Sequence, residues 1–305
     1  MTAAASGSPP AFRITNRLRE SFAGYSFLAP QFLGFVFFAF VPVIQVFWLS
    51  FNQINPYTGA TTFIGGANYL RFFQDPALPE VLATTGVYVF GLTLVGTSLA
   101  MFLAVLVNQK LAGISIFRAI FFIPALVTLA AWTLAWSLAL QPGGIVDGIL
   151  AGVGIGAPNW LNTEGLALGV VIVLQALKNV GINMMILLAA LQSVPAELQE
   201  AARMDGASSQ RVFWKITLPM VSPSVFMVSI LMLVGSFKAF EQIYLLTHGG
   251  PGRSTTVLSF YIYQQAFVNN DQGYASALAA LLFVLVLALT GLVWLARRKL
   301  VFFED

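Results

Sequence analysis

Six apolar stretches, at 27–49, 81–107, 119–140, 166–188, 225–246 and 275–296, leave a chain like this few ways to fold. Each is about as long as the roughly 20 residues that an α-helix needs to cross a hydrocarbon layer about 30 Å thick. Lipid offers backbone N–H and C=O groups no water, so such stretches become helices that satisfy their own hydrogen bonds. A composition of 58% hydrophobic against 9% charged residues leaves too little polar surface to cover a water-soluble globule. The expectation is an all-α membrane protein with six transmembrane helices, without internal repeat or second domain. The first stretch is too long for the apolar core of a cleavable signal peptide. Kinks are expected in it at Pro30 and Pro42.

Six crossings put both termini on one side, and the bases say which. Arg13, Arg17, Arg19, Lys110, Arg118, Arg203, Arg211, Lys215, Arg297, Arg298 and Lys299 gather there, eleven of the fifteen bases, against Arg71 and Arg253 opposite. Lys178 and Lys238 lie inside spans. By the positive-inside bias, both termini face the cytoplasm. The organisation expected is a cytoplasmic lead at 1–26, a transmembrane domain at 27–296 and a cytoplasmic tail at 297–305, with Gly59 and Gly154 outside. The chain has no cysteine and a single histidine, His248 in a Gly-rich loop, so disulfides, thiolate chemistry and multi-histidine metal sites are excluded. No Gly-x-x-x-x-Gly-Lys-Ser/Thr loop occurs to cradle nucleotide phosphates. No nucleophile with its base is evident either, so the chain is not expected to be an enzyme.

Between the fourth and fifth apolar stretches runs a polar segment, 193–223, that reads as a helix-turn-helix hairpin. Pro195 suits the first turn of a helix, and Glu197 and Glu200 favour its positive N-terminal end. Asp205-Gly206 closes that helix, because glycine accepts the left-handed conformation required there. Ser208 or Ser209 can cap a second short helix at 210–216, which Pro219 is expected to end.

The hairpin resembles the EAA loop of the membrane subunits of ABC importers. The match runs without a gap through Glu200, Ala201, Ala202, Asp205, Gly206, Ala207, Phe213, Ile216, Leu218 and Pro219. Three further likenesses accompany it. They are Gly65 with Asn68-Tyr69 and Asp75-Pro76, the stretch 113–124 with Phe117-Arg118, and Lys238-Ala239-Phe240-Glu241 followed by Thr247-His248-Gly249-Gly250-Pro251. The last is similar to the signature of carbohydrate permeases, with Glu241 where Asp is commoner and His248 in place of a frequent Gly.

The resemblance implies a type I ABC importer permease fold in the cytoplasmic membrane of a prokaryote. It implies coupling through Glu200, Ala201, Ala202, Asp205, Gly206 and Ala207 to ATPase subunits. The implied partners are a second homologous permease, two ATPases that hold ATP and Mg, and an extracytoplasmic solute-binding protein; this chain is expected to hold no cofactor and no metal, and to bind no nucleic acid. The solute implied is a mono- or oligosaccharide, or alternatively a polyol phosphate such as glycerol 3-phosphate. A secondary carrier would share the buried charges but have no use for the hairpin.

Polar residues inside spans mark the candidate solute path. A lysine at the bilayer centre costs about 2.5–3.5 kcal/mol on insertion scales, so it persists only with compensation. Lys178 stands mid-span with Asn179 and Asn183 expected on a shared face. Lys238 is expected mid-helix in the fifth span, with Glu241 one turn away to neutralise it and Gln242 beside it. Aromatic residues of the first outer loop, Phe51, Tyr57, Phe63, Tyr69, Phe72 and Phe73, are expected at the headgroup boundary.

Overall fold

A computed structural model of the chain describes residues 25–109 and 112–300, the last three by their backbone alone. The expected lead, with Arg13, Arg17 and Arg19, thus falls almost wholly outside the described residues, as do Lys110 and residues 301–305. In order the chain forms helix α1 (Tyr25–Ser50) and an antiparallel ribbon of β1 (Asn52–Ile54) and β2 (Thr61–Phe63). Then come α2 (Ala67–Leu70), α3 (Leu78–Val107), α4 (Ile114–Leu126), α5 (Leu129–Leu140), α6 (Ile145–Gly152) and α7 (Leu166–Ser193). The rest comprises α8 (Ala196–Met204), α9 (Ser209–Ser236), α10 (Glu241–Leu246), α11 (Leu258–Tyr263) and α12 (Gln272–Leu300).

Five helices, α1, α3, α7, α9 and α12, are long and apolar enough to span a membrane. The third expected span is not one helix. It is broken into α4 and α5, bent by 101°. The break has a local cause, for Val127 and Thr128 are extended and the Thr128 hydroxyl accepts from Ala131 N–H at 3.4 Å, starting a new helix.

Helix α9 corrects two expectations at once. It begins in the hairpin at Ser209 and runs through Pro219 without ending, and it stops at Ser236, ten residues short of the expected end of the fifth span. Pro219 is accommodated because the turn just before it, Phe213–Thr217, is π-helical. The wider turn takes in the residue whose hydrogen bond the proline cannot make. Pro42 is met the same way, by the π turn Val36–Phe40, and α1 continues through Pro30.

The bundle is organised on α7, which packs along α3 and α4. Ala100, Ala104 and Ala176 are fully buried at the α3–α7 contact beside Leu92, Val171 and Leu187. Small side chains let two helix backbones approach where lipid provides no hydrophobic drive. Gly181 does the same for α4, since a Cβ there would lie 2.5 Å from the Phe121 carbonyl oxygen and 2.8 Å from the Phe122 Cα. Helix α1 sits at the rim against α12, with Phe47 edge-on to Phe283 at 5.7 Å. Among the first-loop aromatics, Tyr57, Phe63 and Phe73 are exposed as expected, whereas Tyr69 and Phe72 form a ring chain onto Tyr274 of α12.

The α4–α7 contact makes a prediction. Gly181→Val should lower the thermal unfolding temperature of the purified protein by the equivalent of about 1–3 kcal/mol, the usual cost of overpacking. Gly169→Ala, on the same helix with open space at its Cβ, should leave it unchanged. Equal melting temperatures for both variants would show that α4 does not rest on Gly181.

Candidate solute cavity and hairpin

Helix α8 is the first arm of the hairpin and ends as its sequence dictates. Gly206 takes φ +81°, its N–H donates to Arg203 C=O at 3.0 Å, and Ala207 N–H donates to Ala202 C=O at 2.9 Å. These bonds satisfy carbonyls that a helix end otherwise leaves open. Of the two candidate caps, Ser208 is the one used, accepting from Arg211 N–H at 3.4 Å. The hairpin projects Glu200, Ala201, Asp205 and Gly206 into the open, with Ala202 and Ala207 half-buried. It also exposes large apolar side chains, Met204 at 88% and Trp214 at 65%, beside Arg203, Arg211 and Lys215.

Both arms lead inward. Helix α7 enters the hairpin across Val194 and Pro195, and α9 leaves it directly as a span of 28 residues, about 40 Å at 1.5 Å per residue. Midway along α7 and at the end of α9 lies a cavity of about 270 Å³. Gln175 and Asn179 of α7, Met232 of α9, and Lys238, Phe240, Glu241 and Gln242 line it, with Tyr88 and Leu92 of α3.

The cavity exists because the helix stops. Residues 237–240 form a turn between α9 and α10, where Lys238 N–H donates to Gly235 C=O and Ala239 N–H to Ser236 C=O, at 3.1 and 3.2 Å. The Ser259 hydroxyl donates to the Ala239 carbonyl at 2.6 Å. Lys238 and Glu241 are therefore not one helical turn apart, and they form no ion pair within 4.0 Å; among the described residues that contact is made by Arg71 and Asp271. Both charges are exposed and line the cavity separately.

The expected solute-path residues divide. Asn179, Lys238, Glu241 and Gln242 meet at the cavity, but Lys178 and Asn183 do not. Lys178 turns to the break in the third span, its Nζ donating to the Ala125 carbonyl at 3.5 Å. A cation suits that place, because the C-terminal end of α4 carries unsatisfied carbonyls and negative dipole charge. Asn183 is buried, with its amide nitrogen 3.0 Å from the Met232 sulfur. Asn179 and Asn183, four apart, keep to one face, where Met232 both meets Asn183 and lines the cavity with Asn179, whereas Lys178 lies about 100° round the helix from Asn179.

Gln175, missed by the sequence reading, is the more telling residue. Its Oε1 and that of Gln242 are buried without a hydrogen-bond partner, while Gln242 Nε2 donates to Val171 C=O at 3.4 Å. A buried unsatisfied acceptor costs about 1–3 kcal/mol. Gln175 lies four residues before Asn179, and that spacing could have revealed it as a neighbour on the same face.

The remaining sequence signatures prove architectural. Asn68 Nδ2 donates to the carbonyls of Ser50 and Asn52, at 2.9 and 3.1 Å, and Tyr69 and Ser50 share a hydroxyl bond of 2.6 Å. Asp75 Oδ2 accepts from Tyr261 and Tyr274 at 2.6 and 2.7 Å. Burial opposes ionisation of Asp75, yet these tyrosines and the Ala77 N–H prevail and hold its carboxyl below the ordinary value. Burial and the facing Asp75 push the Tyr261 phenol up to about 12. In the Thr247–Pro251 loop, the Thr256 and Thr255 hydroxyls donate to Gly249 and Gly250 carbonyls at 2.9 and 2.8 Å, fixing the turn that returns the chain into α11.

A bundle of apolar spans, interrupted where a half-polar cavity opens and continuous from there to an exposed hairpin, is the build of a membrane transport permease. The chain belongs to the family described as binding-protein-dependent transport system inner membrane component, whose sequence model matches residues 96–300. It is 34% identical to the arabinooligosaccharides transport system permease protein AraP of Bacillus subtilis, over 88% of this chain and 86% of that one. To the sn-glycerol-3-phosphate transport system permease protein UgpA of Pectobacterium atrosepticum it is 31% identical, over 89% and 92%. Its fold superposes on a chain of a bacterial ABC transporter involved in the import of the acidic polysaccharide alginate with a TM-score of 0.82, at 22% identity, covering 94% of this chain and 99% of the other. The protein is thus the permease component of an ABC importer, with the type I fold.

Proposed function

We propose that this permease passes a neutral carbohydrate through the cavity between α3, α7 and the α9–α10 turn. The observation that carries the reading is the pair of buried acceptors, Gln175 Oε1 and Gln242 Oε1, which call for a ligand rich in hydroxyl donors. The charge inventory supports neutrality. Lys238 and Glu241 offset one another at the cavity, and Lys178, the second cation a phosphate would use, is turned to Ala125. About 270 Å³ equals the liquid volume of roughly nine waters, room for one sugar ring. The relative named for arabinooligosaccharides favours the same class, while the one named for glycerol 3-phosphate keeps the anionic alternative a proper subject of test.

The permease is proposed to work beside a second, homologous permease, with ATP and Mg on two ATPase subunits beneath and a solute-binding protein above. Glu200, Ala201, Ala202, Asp205, Gly206 and Ala207 dock the ATPases, and exposed Met204 and Trp214 supply apolar contact there. Movement of the docked hairpin travels along α7 and α9 to the cavity, opening it alternately to either side. The hairpin and both termini face the cytoplasm.

The test is uptake by vesicles holding the whole transporter, with the binding protein saturated. Gln175→Leu should reduce sugar transport at least about tenfold, the cost of losing a buried hydrogen bond and its geometry. Lys178→Met should retain most of it. Loss with Lys178→Met and silence of Gln175→Leu would replace the neutral solute by an anionic one. Gly206→Pro and Glu200→Lys should stop uptake without altering solute capture by the binding protein, because proline cannot take the positive φ of Gly206. Undiminished uptake in both would remove the coupling role. Orientation is read separately, on single cysteines in this cysteine-free chain. Gly59→Cys should react with an impermeant maleimide on intact cells and Ser208→Cys only after permeabilisation; the reverse pattern would invert the topology.

A further inference from the structure

From the cavity a double row of aromatic rings climbs away from the hairpin. Phe240, Tyr244 and His248 follow one another at four-residue spacing along α10 and its ends, while Phe260, Tyr263 and Phe267 succeed at three and four along α11 and the turn after it. The rows interlock. Phe240 lies 5.5 Å from Tyr244 and 4.9 Å from Tyr263, Tyr263 lies 5.3 Å from Phe267, and Tyr244 lies 5.7 Å from His248. Phe240 belongs to the cavity wall at the lower end. At the upper end, His248 belongs to a second recess of about 260 Å³, which also takes in Arg253, Thr256, Gln264, Gln265 and Asn269. The upper rungs are open, with Phe267 70% and Tyr244 37% exposed.

We propose that this row is a stacking track for pyranose or furanose rings, and that the upper recess is a second sugar subsite one or two residues above the cavity. The inference rests on the reading of the cavity as a carbohydrate site and extends it, since it makes the solute an oligosaccharide. A sugar ring has an apolar C–H face and a hydroxylated rim. An aromatic face with polar groups at its edge meets both: the phenols of Tyr244 and Tyr263 hydrogen-bond each other along the row, and at its upper end the His248 imidazole shares the recess with Gln264 and Asn269. The recess holds Arg253 and no carboxylate among its lining residues, so it does not suit a cationic solute. The continuity of Phe240 with the cavity gives the track its direction.

The test uses the complete transporter in vesicles, its binding protein saturated, and two labelled series: glucose to maltotetraose, and arabinose to arabinotriose. Unmodified transporter should carry at least one series, with translocation rate rising with ring number. Phe267→Ala and Tyr244→Leu should reduce the rate of the longest carried sugar relative to the shortest by about threefold to tenfold, the worth of one aromatic stacking contact. Tyr244→Phe should restore the ratio, because the ring remains. Equal loss at every length, or no loss, would overturn the track and leave the cavity reading standing. Loss accompanied by reduced co-purification of the partner permease would show the rings to be a subunit interface and would overturn it too. Failure of the unmodified transporter to carry any of the sugars would remove the carbohydrate reading and the track together.

Discussion

A carbonyl oxygen in hydrocarbon must find a donor within the protein, and this requirement decides where the helices of this permease can be interrupted. Two breaks and one helix end are each paired with a side chain that answers a freed carbonyl. Lys178 reaches Ala125 at the end of α4, Ser259 reaches Ala239 in the turn after α9, and Arg118 donates to Val107 at 2.8 Å where α3 ends. Trp132 adds a bond of 3.2 Å from its indole N–H to Leu174 within α7, pinning α5 just beyond its bend. Without these partners the breaks would cost several kcal/mol each, and continuous helices would leave no cavity.

From that constraint follows the mechanical plan. The interruption after Ser236 opens the cavity, yet on the hairpin side α9 is unbroken, and the π turn Phe213–Thr217 carries it past Pro219. Helix α7 supplies Gln175 and Asn179 to the same cavity and runs straight to the hairpin's other arm. The hairpin therefore holds one end of each of two helices that both line the cavity. The end of the bundle away from the hairpin is tied instead by Asp75, Tyr261 and Tyr274, with the Arg71 guanidinium paired to Asp271 at 2.7 Å and lying 4.0 Å over the Tyr274 ring.

Much of this was legible in the sequence. Apolar length gave five of the spans, though the fifth was misplaced by its ends; the polar segment announced the hairpin, Asp205-Gly206 its αL glycine, and capping preference narrowed the cap to Ser208 or Ser209, of which Ser208 is used. What escaped were the interruptions. Val127-Thr128 and residues 237–240 carry no glycine or proline to announce a break; their cause is a capping hydroxyl and partners more than ten residues distant, such as Ser259 for Ala239. Pro219 misled in the opposite sense, because a π turn ahead of a proline has no signature in residue type. The cavity was half legible for the same reason. Polarity within a span does not say where the side chain turns: Asn179 reaches the cavity, whereas Lys178 meets the end of α4 and Asn183 packs on Met232.

The electrostatic outcome is a cavity with one cation, one anion and two unanswered amide oxygens, set against an aromatic wall. On that combination rests the proposal that an uncharged sugar, rather than a phosphate, passes this cavity. The most direct measurement is the electron cryo-microscopy map of the full transporter, trapped with a sugar it transports. The account predicts density for a sugar ring within hydrogen-bonding distance of Gln175 and Gln242, resting on Phe240, with Lys178 still on the Ala125 carbonyl. Sugar density elsewhere, or Lys178 swung into contact with the solute, would contradict it.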